Sequence, residues 1–322
     1  MKVCVYGAGA IGGYLAALLE RAGAYVSVVA RGPHLEAIRN HGLALILDDE
    51  EHIADLPATD DARALGKQDI VIVTLKAHSI AGAVPGIGAL LGRDTAVVSA
   101  VNGIPWWYFH RLDSPFGERH VESVDPDGVI WRTIGPERAV GCVVYPSAEI
   151  VEPGVIQHLS DNRMILGEPS GERSERVIAL ASLFMAAGLK SPIRPRLRND
   201  IWIKLWGNVA FNPLSALTHA TLDVLASEPG TRGIARAMML EAQAVGEALG
   251  VRFALDVEKR LDGAVAVGAH RTSMLQDLEL GRPLETDALV GAVQELAALT
   301  GVSTPTIDLI RTLLDQRAAF RT

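Results

Sequence analysis

Cysteine is almost missing from this chain: only Cys4 and Cys142 occur among 322 residues. Cys4 lies in an apolar strand pattern, so buried thiols are expected rather than a disulfide or a metal site. Positive charge is also short, with 30 Lys and Arg against 38 Asp and Glu and a net charge of −8. An acidic surface argues against nucleic acid as the partner, but it leaves room for an anionic small molecule in a local cationic pocket. No apolar run approaches the ~18 residues of a membrane span. No leader is expected, because the opening MKVCVYG runs straight into a glycine turn. There is no internal repeat and no low-complexity tract. What remains fits a cytoplasmic globular protein of two domains, 49% hydrophobic and 21% charged.

What is present begins with glycine. Residues 2–6 are apolar and β-branched, as in a buried parallel strand. Gly7-Ala8-Gly9-Ala10-Ile11-Gly12 follows at once, then a helical pattern ending near Gly23 and a second strand at 25–30. Strand, G-x-G-x-x-G, helix and strand within one unit is the context that makes this motif a dinucleotide site. Gly7 permits the tight turn, Gly9 lets a pyrophosphate approach, and Gly12 lets helix and strand pack closely. The helix N-terminus offers free N–H groups to the phosphates. Beyond the second strand an NAD site usually carries a carboxylate for the ribose 2′-hydroxyl. Arg31 stands there instead. It either pairs with a 2′-phosphate, which selects NADP(H), or is a surface residue starting the helix expected at 33–40.

Two further apolar strands, 69–75 and 95–101, end at Lys76 and Asn102. Ligands of open α/β sheets sit beyond the carboxyl ends of strands, so both residues are placed for a site. Residues 105–134 are irregular and rich in aromatics (Trp106, Trp107, Tyr108, Phe109, Trp131). That segment follows Asn102 directly and is expected to line or cover the site. Strand character returns at 139–145 and 155–165, then a helix at 173–188. From about residue 199 the chain reads as helices with short breaks. The expected fold is therefore α/β: a Rossmann-type doubly wound sheet at 1–198, then an all-helical domain at 199–322.

The stretch 200–213, DIWIKLWGNVAFNP, stands where the two parts meet. Lys204, Asn208 and Asn212 are spaced i, i+4, i+8, which places them on one helix face with about 40° of drift per step. Trp202, Leu205, Trp206, Val209 and Phe211 cover most other directions. A helix apolar on most sides is buried, and buried polar groups are costly unless partnered. The stripe is thus either a solvated edge or the wall of a cleft. Further on, Ser273 and Asp277 suit a helix start, and Glu285 suits the first turn of a helix begun at Pro283.

Taken together these residues resemble the ketopantoate reductase family (2-dehydropantoate 2-reductase) over nearly the whole chain. The resemblance rests on the glycine turn, Lys76, Val101-Asn102-Gly103-Ile104, the stretch from Trp202 to Pro213, Ser273-Met274-Leu275-Gln276-Asp277, and Glu285 before Asp287. It implies reduction of ketopantoate to pantoate with NADPH. It also implies that Lys204 matches the catalytic lysine and Glu285 a carboxylate on the substrate hydroxyl. Asn208, Asn212 and Ser273 would match substrate-binding positions, Asn102 a residue at the nicotinamide and substrate, and Lys76 one lining the cofactor site. The chemistry suits these types: an ammonium beside a ketone oxygen stabilises its developing charge and can donate a proton. Past Asn212, where family members often carry another asparagine, this chain has Thr221-Leu222-Asp223. Reduction of another branched or bulkier 2-keto acid is the nearest alternative, and a non-catalytic NADP(H)-binding sensor the more distant one. A homodimer through the helical half is the expected assembly.

Overall fold

Alternate residues of a strand point to opposite faces of its sheet, and here both sets are apolar. Cys4, Val71, Val73 and Val97 face one side; Val3, Val5, Ile70, Ile72 and Val98 face the other. Strands buried on both faces are characteristic of a parallel sheet covered by helices. The computed structural model describes residues 1–320. In chain order the first part comprises β1 (Lys2–Tyr6), α1 (Ala10–Arg21), β2 (Tyr25–Val29), α2 (Gly32–His41), β3 (Leu43–Leu47), β4 (Glu50–Ala54) and β5 (Ala58–Thr59). It continues with β6 (Gln68–Val73), α3 (Ile80–Leu90), β7 (Leu91–Ser99), α4 (Val129–Ile134), β8 (Ala139–Val144), β9 (Ser147–Glu152), β10 (Val155–Ser160), β11 (Met164–Gly167) and α5 (Glu175–Ala186). The rest is helical: α6 (Leu197–Thr218), α7 (Leu222–Ser227), α8 (Pro229–Ala248), α9 (Val257–Val267), α10 (Ser273–Glu279), α11 (Ala292–Thr300) and α12 (Pro305–Ala319). Helix α6 starts just ahead of the boundary expected at 198/199. Among the described residues, no helix is long and apolar enough to cross a membrane.

The main sheet has the order β11-β8-β7-β6-β1-β2-β5. All its pairs are parallel except β11 with β8. The strand order reverses beside β1, so the crevice for a ligand opens at the carboxyl ends of β1 and β6. A second sheet, β4-β3-β10-β9, packs against the outer face of α1. A Cβ on Gly13 would meet the Ile156 side chain, and the Tyr14 and His158 rings stack at 4.9 Å. The sequence reading did not anticipate this sheet. Its central pair, β3 with β10, joins residues more than a hundred positions apart.

The aromatic segment does more than the expectation placed on it. Trp106, Trp107, Tyr108 and Phe109 are all buried, in the same apolar cluster as β6, β7 and α6. Trp202 Nε1 on α6 donates to the Tyr108 hydroxyl at 2.8 Å, and Trp206 Nε1 donates to the Met239 carbonyl at 2.9 Å. Trp202 and Trp206 thus bury their bodies and satisfy their polar tips, whereas the buried Trp107 Nε1 has no hydrogen-bond partner. Arg198, in the first turn of α6, donates to the carbonyls of Tyr108, Pro169 and His110. The segment fastens α6 to the sheet, and through Pro105 and Trp107 it also lines the pocket beside Asn102, as expected.

Candidate active site

Strands β1, β6, β7 and β8 end at one edge, and a candidate residue stands past each end. After β1, Gly7 takes φ +106°, a region that only glycine adopts readily. Thr74 Oγ1 donates to the Gly7 carbonyl at 2.6 Å, and a Cβ on Gly12 would collide with the same carbonyl. Above Gly9 the space is open, since an added Cβ there would meet nothing within 4 Å. Helix α1 begins with no side-chain cap and no acidic residue in its first turn. Free N–H groups from Ala10 and Ile11 and the positive end of the helix dipole therefore border an empty cradle, which fits a pyrophosphate. Ala8 in the turn is held through its carbonyl by His34 Nε2 at 2.7 Å, while His34 Nδ1 accepts from the Gly154 N–H at 2.9 Å. Burial holds the His34 imidazole below its ordinary pKa, partly offset by the Ala8 carbonyl, which suits a neutral ring that donates once and accepts once. Arg31 is exposed just past β2, at the start of α2.

After β6, Lys76 reaches across the crevice. Its Nζ donates to Asp277 Oδ2 at 2.6 Å and Glu285 Oε2 at 3.3 Å, while the Ala77 N–H donates to Glu285 Oε1 at 3.0 Å. Both carboxylates are nearly inaccessible, at 6% and 5% side-chain exposure, against 41% for Lys76. Burial pulls the Lys76 ammonium down, but Glu285 and Asp277 outweigh it and the net shift is upward. These placements correct two local readings. Glu285 does not sit in a helical turn: 282–285 has no regular secondary structure, and a π-helical turn runs Asp287–Gly291. Ser273 does not cap α10; Thr272 does, its Oγ1 accepting from the Leu275 N–H at 3.3 Å. Ser273 is exposed, one turn before Asp277 on the same face of α10.

After β7 and β8, Asn102 and the Val144 carbonyl meet α6. Lys204 Nζ donates to Asn102 Oδ1 at 2.6 Å and also to the Val144 carbonyl. No carboxylate touches it. Desolvation lowers the Lys204 pKa to about 8, with Cys142, Glu285 and Asp161 opposing. The Cys142 thiol is itself pushed up to about 12 by burial. A small pocket of about 20 Å³ lies between α6 and the strand ends, lined by Asn102, Pro105, Trp107, Val144, Lys204 and Asn208 among others. Asn208 is half-buried and Asn212 is 6% exposed. Neither side-chain amide has a hydrogen-bond partner among the described residues. Lys204 and Asn208 of the α6 stripe line the pocket, with only the lysine engaged, while Asn212 is buried one turn further on.

Two family models cover nearly all of the chain. Ketopantoate reductase PanE/ApbA matches residues 3–171, and its C-terminal counterpart matches residues 196–318. The chain belongs to the ketopantoate reductase family. A 2-dehydropantoate 2-reductase of Mesorhizobium japonicum is 55% identical over 322 residues, 100% of this chain and 99% of that one. A solved family protein from Ralstonia solanacearum is 42% identical with a TM-score of 0.95, covering 99% of this chain and 98% of that chain. A D-mandelate dehydrogenase, solved with NADH and anilino(oxo)acetate, shares the fold at 21% identity and a TM-score of 0.85, covering 99% and 98%. Ketopantoate reductases are NAD(P)H-dependent oxidoreductases of keto acids. Within that family reading, the residues that sequence reasoning missed are His34, Tyr145 and Arg260. The last two stand beside the α6 stripe, and neither carries a local sequence signal.

Proposed function

We propose that the chain reduces the keto group of 2-dehydropantoate to (R)-pantoate with NADPH, and that Lys204 is the proton donor. When bound, the dihydronicotinamide supplies the hydride. The observation that carries the reading is the Lys204 ammonium, oriented by two neutral acceptors at the wall of a cavity. A ketone oxygen that gains charge would find this ammonium as its donor. Because burial brings Lys204 to about 8, it is mostly protonated at neutral pH yet gives the proton up readily, the match that general acids need. Glu285 is held from one side by Lys76 and the Ala77 N–H. A carboxylate has further lone pairs, and these suit the substrate hydroxyl. Asn208, Asn212 and Ser273 complete the substrate contacts in this reading, with Asn102 shared between Lys204 and the bound pair. The domain division at 198/199 then separates labour: the first part binds the dinucleotide, and the second supplies the acid.

Residues Gly7, Ala8, Gly9, Ala10, Ile11 and Gly12 hold the pyrophosphate in this proposal, and Arg31 chooses NADPH over NADH. The test is ketopantoate-dependent loss of NADPH absorbance, run in parallel with NADH. Absence of turnover with both would remove the reading. For the cofactor, Arg31→Ala should raise the KM for NADPH about 10-fold or more, by loss of a charge-assisted hydrogen bond, and leave that for NADH nearly unchanged. Equal effects on both would show that Arg31 does not read the 2′-phosphate.

A further inference from the structure

A guanidinium without a partner lies against the catalytic helix. Arg260 is in the first turns of α9, and its buried Nε has no hydrogen-bond partner. Among the described residues the Arg260 side chain forms no hydrogen bond and no ion pair. Other arginines of the chain differ: Arg198, Arg176 and Arg232 each satisfy several acceptors. A guanidinium whose Nε is buried without a partner is costly, and because the residue as a whole is only half-buried its outer nitrogens stay accessible to an incoming anion.

Its position says which anion. The guanidinium packs onto Gly207 of α6, where an added Cβ would come within 2.7 Å of Nη2. Gly207 lies one turn past Lys204 and directly before Asn208, so the missing side chain opens a slot beside the polar stripe. Tyr145, the first residue past β8, lies on the same side: Lys204 Nζ is 5.8 Å from its ring centroid. Arg163 covers that ring at 4.0 Å, so a second cation sits close by. Burial pulls Arg260 below its ordinary value, with Tyr145 the only opposing group. Among the described residues no acidic side chain compensates it.

We infer that Arg260, seated on Gly207 beside Lys204 and Asn208, is the receptor for the carboxylate of the 2-keto acid substrate. This rests on the function proposed above and deepens it. A guanidinium fork matches a carboxylate with two parallel hydrogen bonds. The carbonyl next to that carboxylate would then lie toward Lys204, one helical turn away. Orientation follows from the spacing: the acid end is held at Gly207 and the keto oxygen at Lys204.

The experiment compares ketopantoate with its primary amide, using the full-length chain with NADPH. Wild type should prefer the acid strongly. In Arg260→Ala the KM for ketopantoate should rise about 100-fold with kcat within a few-fold, the loss expected when one partner of a buried charged pair is removed. The acid-over-amide preference in kcat/KM should fall by the same factor. Arg260→Lys, which keeps the charge but not the fork, should recover part of that preference. Gly207→Ala, which displaces the guanidinium without removing it, should raise the KM several-fold. Undiminished acid preference in Arg260→Ala overturns the inference, as does an equal loss for acid and amide, whether from misfolding or from lost packing. Absence of turnover of any 2-keto acid by wild type removes the proposed function itself, a different outcome from turnover with intact preference in the variant.

Discussion

Two lysines face the same crevice in opposite company. Lys76 meets two carboxylates and is held above the ordinary lysine value. Lys204 meets an amide oxygen and a backbone carbonyl and falls to about 8. Both are desolvated, so desolvation does not separate them. The charge of the acceptor does: anionic partners repay the removal of water around an ammonium, and neutral ones repay only part of it. One site thus holds a lysine committed to its proton and another able to part with it. The first is suited to holding Glu285 in place, the second to acid catalysis.

The comparison breaks most visibly if the wrong lysine matters more. Lys204→Ala should lower kcat about 10³-fold, the range for losing a general acid that also stabilises developing charge. NADPH oxidation at saturating substrate measures it, and a loss under tenfold would deny Lys204 its role. Next comes the pH profile. In the direction of reduction the acid must be protonated, so kcat/KM should fall about tenfold per pH unit above a break near 8, the value at which Lys204 titrates. A flat profile to pH 9.5 would place the acid elsewhere. Lys76→Met should keep that break while lowering kcat/KM by about tenfold, because it loosens Glu285 rather than removing the donor. A shifted break in Lys76→Met would show that the two lysines are not independent.

The smallest effect is on stability, and its sign differs between them. Lys204 has a folded pKa near 8 against an unfolded value of about 10.4. Between those values the unfolded chain binds more protons, so this residue's contribution to stability rises with pH. Lys76 has a raised folded pKa. Its contribution is fully present below the ordinary lysine value and is lost only as pH climbs through the raised one. From pH 7.5 to 9.5, melting temperature should therefore climb for wild type relative to Lys204→Met, and stay at a constant offset relative to Lys76→Met. Parallel curves for all three proteins would contradict the opposed shifts.

How much of this was legible in the sequence follows from distance along the chain. The glycine turn and the α6 stripe are local patterns: periodicity alone puts Lys204, Asn208 and Asn212 on one face, and the structure sets Lys204 and Asn208 of that face at the pocket. The partners of that stripe are not local. Lys76 meets Asp277 and Glu285 across more than 200 residues, so Asp277 and Glu285 looked like helix-end residues until the chain was folded. The cap assigned to Ser273 belongs to its neighbour Thr272, because adjacent hydroxyls are equivalent to a pattern and distinct to a backbone. Arg260 carries no local signal in the sequence that sets it apart. Only the glycine opposite, on another helix, gives it a place. The aromatic run was half legible: its position after Asn102 pointed to the site, which Pro105 and Trp107 line, but its packing against α6 is a contact across the chain that no local pattern shows.

That last contact reaches back to the ribosome. The strands of the main sheet and α5 are all made before the first turn of α6 emerges. Until then the stretch Trp106 to Phe109 lacks the part of its packing that α6 supplies, including the Trp202 donor to Tyr108, and that gap is open to water. Translation of roughly one further helix, a few seconds at ordinary elongation rates, closes it. The helix that carries Lys204 thus also completes the packing of the aromatic segment, so variants that delay its docking should cost yield before they cost activity.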